Sequence, residues 1–253
     1  MTKVFLSAGH GGIDPGAVAY GLLEKNVNLN IMLACKDVLT RHGLNVVCSR
    51  TTDENDPVRS EVLEANYSKA DIAVSFHTNA GGGDGSETYY YTSSNKGKQL
   101  AELCEKHVKA IGQNSRGIKS GNHLYFVRRT SMPAVLCECA FVDNDNDNNI
   151  IDTTDKQKAF GVAYAKAILE YFGISYIENN KPNNSESYYS KYTGNSRAID
   201  EILKVIGVEP KYRGNYRNRK ALAQANGIVN YIGSEVQNLR LIALAKTGKL
   251  KKV

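Results

Sequence analysis

The run Val4-Phe-Leu-Ser-Ala8 leads into the glycine-rich segment Gly9-His-Gly-Gly-Ile-Asp-Pro-Gly16, and a helical pattern follows. The apolar residues of that pattern recur at steps of four, four, three and four: Leu23, Val27, Ile31, Ala34 and Val38. This spacing predicts a helix with one apolar face that ends near His42-Gly43. A strand, a loop and a helix in this order are typical of an α/β domain.

Further strand-like runs alternate with helical patterns over the next 130 residues or so. The strand candidates are 4–8, 45–50, 71–77, 87–92, 124–127 and 134–140. Further helices are expected at about 57–70, 96–112 and 155–172. We therefore predict a mostly parallel sheet of about six strands flanked by helices. The polar run 143–149 has the composition of a calcium loop but lacks its glycine and distal glutamate, which favours a polar loop or a helix start.

The charge of the chain is divided unevenly near residue 180. Residues 1–180 carry 18 Lys and Arg against 21 Asp and Glu, a net charge of −3, whereas residues 181–253 carry 14 against 5, a net charge of +9. The segment 176–190 is rich in Asn and Ser and is predicted to be a linker. We therefore expect a domain at 1–175 and a small basic domain at 191–253.

The basic domain is predicted to be mainly helical, with helices at 197–206, 219–225 and 236–245. Its charge indicates an anionic partner, for which nucleic acid, a membrane surface and an anionic polymer are the candidates. If charge does not carry the binding, four tyrosines are candidates for stacking on sugars: Tyr188, Tyr189, Tyr192 and Tyr231.

The composition also bears on where the chain is made. No apolar run approaches the roughly 18 residues of a membrane span, and the N-terminus lacks the apolar stretch of a signal peptide. We therefore expect synthesis in the cytoplasm of the producing cell and no insertion into a membrane. The five cysteines are an odd number within the first 140 residues, which favours reduced and mostly buried thiols.

Chemically active residues stand where the predicted strands end. His10 follows the first strand, His77 ends the third, and Glu24 opens the first helix. Open α/β sheets place their ligands at this edge. Two histidines and one glutamate match a catalytic zinc site, in which the fourth position is left to water.

Taken one at a time, these residues also fit roles other than metal binding. A lone histidine at a strand end is more often a hydrogen-bonded surface or core residue than a metal ligand. The glycine-rich turn could instead hold a phosphate, but it matches neither nucleotide-binding pattern, and Pro15 removes one N–H group. Glu138 is a charged residue in the otherwise apolar run 134–141, so it needs a cationic neighbour.

The residues in chain order resemble a known family. The resemblance rests on 4–16, Gly21-Leu-Leu-Glu24, Arg50-Thr-Thr-Asp53, Arg59, Ala65-Asn66, 70–80, Arg116-Gly117 and Pro133-Ala-Val-Leu-Cys-Glu138. These segments are similar to the zinc-dependent N-acetylmuramoyl-L-alanine amidases of the amidase-3 type over residues 3–173. One departure is Cys139-Ala140-Phe141, where the family more often has glycine, and it affects only the local shape of the pocket.

The resemblance implies a function and a set of site residues. It implies hydrolysis of the amide between N-acetylmuramic acid and L-Ala in peptidoglycan, with His10, Glu24 and His77 as Zn²⁺ ligands and Glu138 as the general base. Four polar motif residues are explained at least as well by structural hydrogen bonds as by substrate contact: Arg50, Arg59, Asn66 and Asn79.

An amidase followed by a linker and a small basic module resembles a phage endolysin. Such an enzyme is released from the producing cell to lyse the bacterial wall, and its second domain would bind an anionic wall polymer rather than nucleic acid. The alternatives are a bacterial autolysin with the same chemistry and an inactive protein that binds nucleic acid through its basic C-terminus.

Overall fold

The computed structural model describes residues 2–178, 188–196 and 198–252. The chain forms two compact units, Met1–Ile177 and Glu178–Val253. Most of the predicted linker at 176–190 lies outside the described residues, and each unit is described below by itself.

The first unit is built on a six-stranded sheet, which confirms the predicted architecture. Its strand order is β4-β1-β5-β8-β6-β7, and all neighbours are parallel except the antiparallel pair β6 and β8. A short hairpin of two strands, β2 and β3, each two residues long, precedes the first helix. The strands are β1 Lys3–Ala8, β2 Val18–Ala19, β3 Leu22–Leu23, β4 Asn45–Cys48, β5 Ile72–Asn79, β6 Ser86–Tyr90, β7 Ser115–Ser120 and β8 Ala134–Phe141.

Helices flank the sheet, and the main core lies between the sheet and the helices α1, α3 and α6. The helices of this unit are α1 Glu24–Arg41, α2 Val58–Ser68, α3 Asn95–Lys109, α4 Tyr125–Arg129, α5 Asp145–Ile151 and α6 Thr154–Tyr171. On α1, Val27, Ile31 and Val38 are buried as the apolar spacing predicts. A second, smaller core that includes Phe5 and Phe126 lies apart from it. The four longer predicted helices, α1, α2, α3 and α6, are confirmed.

One of the predicted strands is wrong, and one strand of the six-stranded sheet is absent from the prediction, as are the two short strands of the hairpin. Of the run 124–127, Leu124 is the N-cap of α4 and the other three residues are helical, with Phe126 and Val127 buried. A short apolar run fits a buried strand and a buried helical turn equally well, so the pattern alone could not decide. The missed strand of the six-stranded sheet is β7, an edge strand with few apolar residues whose Gly117 has a φ of 81°.

The polar run 143–149 begins a helix, which is one of the two structures predicted for it. The side chain of Asn144 caps α5 by accepting hydrogen bonds from the N–H groups of Asn146 and Asp147. The buried carboxylate of Asp147 accepts hydrogen bonds from the N–H groups of Gly85 and Phe141. This run therefore links the end of β8 to the residue that precedes β6.

The second unit has a separate apolar core and is mainly helical. Its helices are α7 Ile199–Val205, α8 Tyr216–Ala225 and α9 Glu235–Lys246, with a short 3-10 turn at Pro210–Tyr212. Tyr188 pairs with Lys251, and the N–H of Tyr189 donates to the carbonyl of Leu250. The unit therefore includes residues 188–190, which the sequence assigned to the linker.

The proposed role of the tyrosines in stacking on sugars does not fit this core. Tyr189, Tyr192 and Tyr231 are buried in it, and the Tyr231 hydroxyl is bonded to Arg219 and Asn238. A ring that packs inside the core cannot offer its face to a sugar. Of the four candidates, Tyr188 alone is half-buried.

The described residues form no helix that is both long enough and apolar enough to cross a bilayer. The five cysteines are free, and four of them are buried, which agrees with the expectation of reduced thiols.

Candidate metal centre

His10 lies in the loop that follows β1, at the carboxyl edge of the sheet. Its φ is 64°, a left-handed conformation that is uncommon for a residue other than glycine. The neighbouring Gly9 is required here, because a Cβ on it would collide with the ring of His77. The turn thus brings the two histidine rings close together, with their centroids 5.1 Å apart.

Glu24 is the first residue of α1, and it is buried. Its Oε2 accepts a hydrogen bond from the N–H of Ala17 at 2.8 Å. Its Oε1 accepts hydrogen bonds from the N–H of Thr78 and from the side chain of Asn28. The carboxylate is therefore fixed in one orientation before any ligand is considered.

His77 lies near the end of β5, next to β1 in the sheet. Its Nδ1 is 3.0 Å from Glu24 Oε1, and Nε2 of His10 is 3.2 Å from the same oxygen. One ligand atom from each of the three residues lies within 4.8 Å of the others. The structure thus brings together all three residues that the resemblance implies as metal ligands.

The electrostatics of this cluster favour a cation. Hydrogen bonding to Glu24 raises the pKa of His10 to about 9. Burial opposes the charge of Glu24, but its hydrogen bonds with His10 and His77 hold the pKa of this carboxyl well below its usual value. Because metal ligands must be deprotonated, a divalent cation would replace the protons that these groups share.

Glu138 stands next to the cluster, near the middle of β8. In the sheet register it lies opposite His77 of β5 on one side and opposite Glu87 of β6 on the other. Burial raises the pKa of Glu138 to about 7. Its Oε2 has no hydrogen-bond partner among the residues described, so one lone pair is available beside the histidines.

Asp14 supports the cluster, although it is not among the site residues predicted from the sequence. Its Oδ2 lies 2.8 Å from Nδ1 of His10, the nitrogen that faces away from Glu24. A carboxylate on the far nitrogen of a ligand histidine fixes the tautomer and the orientation of the ring. The sequence already places Asp14 close to His10, since it lies four residues later within the glycine-rich turn.

The polar motif residues outside the cluster have structural partners. Arg50 is fully buried, and its guanidinium donates to the carbonyls of Ala8 and Lys25. Asn66 joins α2 to the segment after α4 by bonding the carbonyl of Arg129 and the N–H of Ser131. These contacts give both residues a structural role.

A cavity of about 330 Å³ opens beside the two histidines. Its walls are mostly apolar, with the carboxylates of Asp56 and Glu61 among them. Burial raises the pKa of both carboxyls. The complete lining is His10, Asp14, Asp56, Pro57, Val58, Glu61, His77, Leu124, Tyr125, Phe126 and Leu136.

The first unit matches a known protein family over most of its length. The family described as N-acetylmuramoyl-L-alanine amidase, of the amidase-3 type, matches residues 4–170. The chain belongs to this amidase family. The matched segment contains His10, Glu24, His77 and Glu138, and it ends within the first unit.

Similar proteins agree with this assignment. The amidase is 33% identical over 178 residues to the sporulation-specific N-acetylmuramoyl-L-alanine amidase of Bacillus subtilis (strain 168), which covers 69% of each chain. It is 38% identical over 184 residues to the endolysin of Bacillus phage SPP1, covering 69% of this chain and 68% of that protein.

Among solved structures, the catalytic domain of CwlV, an N-acetylmuramoyl-L-alanine amidase from Bacillus (Paenibacillus) polymyxa var. colistinus, has a TM-score of 0.65. It is 33% identical, and the match covers 69% of this chain and all of that domain. The protein is therefore an N-acetylmuramoyl-L-alanine amidase that acts on peptidoglycan, and its described residues contain a possible metal site.

Proposed function

We propose that this amidase hydrolyses the bond between the lactyl group of N-acetylmuramic acid and L-Ala with a zinc ion held by His10, Glu24 and His77. The observation that carries the proposal is the convergence of the three ligand atoms within 4.8 Å. Two imidazole nitrogens and one carboxylate oxygen are a donor set that zinc prefers in catalytic sites. The buried Glu24 carboxylate supports the fit, because its charge needs a cation nearby.

Zinc bound by these residues would supply Lewis-acid polarisation of the substrate carbonyl and of the attacking water. Asp14 and Asn28 keep two of the ligands in place, since they bond His10 and Glu24. The adjoining cavity offers a mostly apolar wall beside these ligands.

Glu138 is the general base in this proposal. Its Oε2 takes a proton from the attacking water and then delivers it to the nitrogen of the departing L-Ala. A pKa of about 7 suits both steps, because the group gains and loses a proton near neutral pH. No covalent intermediate with the protein is required.

The second unit is proposed to anchor the enzyme to an anionic polymer of the bacterial wall. The net charge of +9 on residues 181–253 supports this, and so does a core separate from that of the catalytic unit. We propose that the protein acts as a phage endolysin, in line with its similarity to the SPP1 protein. The similarity to the sporulation amidase favours the second candidate, a bacterial autolysin with the same chemistry.

Metal analysis of the purified chain tests the zinc proposal. We expect about one zinc ion per chain, loss of activity on treatment with a strong chelator, and recovery when zinc is added back. Activity that survives complete removal of metal would contradict the proposal.

A further inference from the structure

A row of polar side chains crosses the sheet beyond the metal cluster. His77 of β5 pairs in register with Glu138 of β8, and Glu138 pairs with Glu87 of β6. Residues paired in this way point their side chains to the same face of the sheet. Arg116 of β7 continues the row, because its side chain reaches Glu87.

Glu87 has no free carboxylate oxygen for a substrate. Its Oε1 accepts a hydrogen bond from Nε of Arg116 at 2.7 Å, and its Oε2 accepts one from the hydroxyl of Tyr89 at 2.7 Å. The Glu87 side chain is 8% exposed. Its role is therefore to hold Arg116, and the row ends in a cation rather than in another anion.

The guanidinium of Arg116 is held but not saturated. Glu87 fixes its Nε, and the ring of Phe141 lies 5.2 Å from its central carbon, which restrains the plane of the group. The two terminal nitrogens make no hydrogen bond with any residue that the structure describes. The side chain is 41% exposed. These two nitrogens form an end-on fork that matches the two oxygens of a carboxylate.

We propose that Arg116 is a specificity-determining residue that binds the free α-carboxylate of the acidic residue following L-Ala in the stem peptide. This inference rests on the proposed function, since it needs the scissile bond to lie beside Glu138. The carboxylate would be bound end-on by the two terminal nitrogens, while Glu87 keeps the guanidinium in position.

The spacing of the sheet is consistent with this assignment. Neighbouring strands lie about 4.8 Å apart, so β7 is roughly 10 Å from β8. An extended peptide covers about 3.5 Å per residue, so the second residue of the stem begins about 3.5 Å from the scissile nitrogen and its α-carboxylate lies about 7 Å away. The length of the arginine side chain covers the difference. The peptide would thus run from β8 across β6 towards β7.

Two substrates that differ in one group test the proposal. Both are N-acetylmuramoyl tripeptides with an amidated C-terminus, and the residue after L-Ala carries either a free α-carboxylate or its carboxamide. We expect wild-type protein to have a kcat/KM at least about tenfold higher for the carboxylate, mainly through a lower KM, because a charge-assisted bidentate contact is lost in the amide.

The variant Arg116→Lys separates recognition of the substrate carboxylate from the structural ion pair with Glu87. A lysine keeps a positive charge beside Glu87 but lacks the fork, so the preference for the carboxylate should fall to about threefold or less. Lys119→Gln on the same strand is the matched control and should leave the preference unchanged.

Three results would overturn the inference. They are equal kcat/KM values for the two substrates with wild-type protein, an unchanged preference in Arg116→Lys, and an equal loss in Lys119→Gln. A wild-type chain that cleaves neither substrate would overturn the proposed function as well, so the two failures are distinguishable.

Discussion

The two units of this protein use charged residues in opposite ways. The first part of the chain, 1–180, has a net charge of only −3 but buries several charged side chains. Residues 181–253 have a net charge of +9, and most charged side chains in the described part of this segment are exposed. In the described part of the second unit, Arg219 is the one charged side chain that is buried, and it is bonded to Tyr231.

This difference supports the proposed division of catalysis and wall attachment between the two units. Burying a carboxylate such as Glu24 costs free energy unless a partner offsets it, so buried charges that converge on one edge of a sheet indicate a chemical site. Exposed charges of one sign indicate long-range attraction to an oppositely charged surface. Changes in the first unit should therefore alter turnover, and changes in the second should alter binding to the wall.

The largest effect is expected for His77→Ala. Loss of one of three ligands should remove the metal and lower activity by about a thousandfold or more, since polarisation of substrate and water is lost together. Metal content and release of L-Ala amino groups are measured on the same preparation. Attachment to walls should be unchanged, and a variant that kept both zinc and activity would show that His77 is not a ligand.

Glu138→Gln should have the next largest effect. The variant should retain zinc and the fold, yet its turnover should fall by about a hundredfold or more, because the amide cannot take the proton of the water. Steady-state kinetics with metal analysis check this. Turnover near the wild-type rate would refute the role of Glu138 as the base.

Separating the two units should reduce activity only on insoluble walls. Residues 1–177 should cleave soluble peptidoglycan at a rate close to that of the full chain but lose most activity on whole walls, because tethering raises the local enzyme concentration. The fragment 188–253 should bind walls, more weakly as salt rises, since exposed charges are screened beyond about 8 Å at physiological ionic strength.

The outcome for this fragment also decides between partners. Tighter binding to duplex DNA than to walls at physiological salt would favour the nucleic-acid alternative. Binding to walls that does not depend on salt would refute the electrostatic argument, and the buried Tyr192 and Tyr231 offer no stacking surface in its place.

The smallest effect concerns pH. Burial raises the pKa of Glu138 to about 7, and the negative charge of Glu87 contributes to the rise. The base acts deprotonated, so kcat/KM should fall as the pH drops through the pKa of this group. Glu87→Gln removes a like charge and should therefore lower that pKa and move the acid limb of the profile to lower pH. An acid limb that stayed in place or moved upward would contradict this coupling.

Much of the secondary structure of the first unit can be predicted from the local pattern of apolar residues. The apolar spacing of α1 and the strand runs of β1, β5 and β8 depend on neighbours in sequence, so they could be predicted. The helical conformation of 125–127 and the polar edge strand β7 depend on packing against distant segments, and their local sequences do not show this packing.

In the candidate site, too, some features can be predicted from the local sequence, and others depend on contacts between distant segments. The order of His10, Glu24 and His77 at the ends of elements could be seen in the sequence, and the structure brings them together. The pairing of Glu87 with Arg116 could not be predicted, because it depends on the register of β6 and β7. The burial of Tyr189 likewise depends on its pairing with the C-terminal segment.

We propose that the cluster of His10, Glu24 and His77, together with Glu138, cleaves the amide that joins the glycan to the stem peptide. Product analysis of purified peptidoglycan treated with the full chain tests it most directly. We expect new L-Ala amino termini without new reducing sugar ends, and this release should be abolished by a chelator and restored by zinc. New reducing ends, or new amino termini on a residue other than L-Ala, would contradict it.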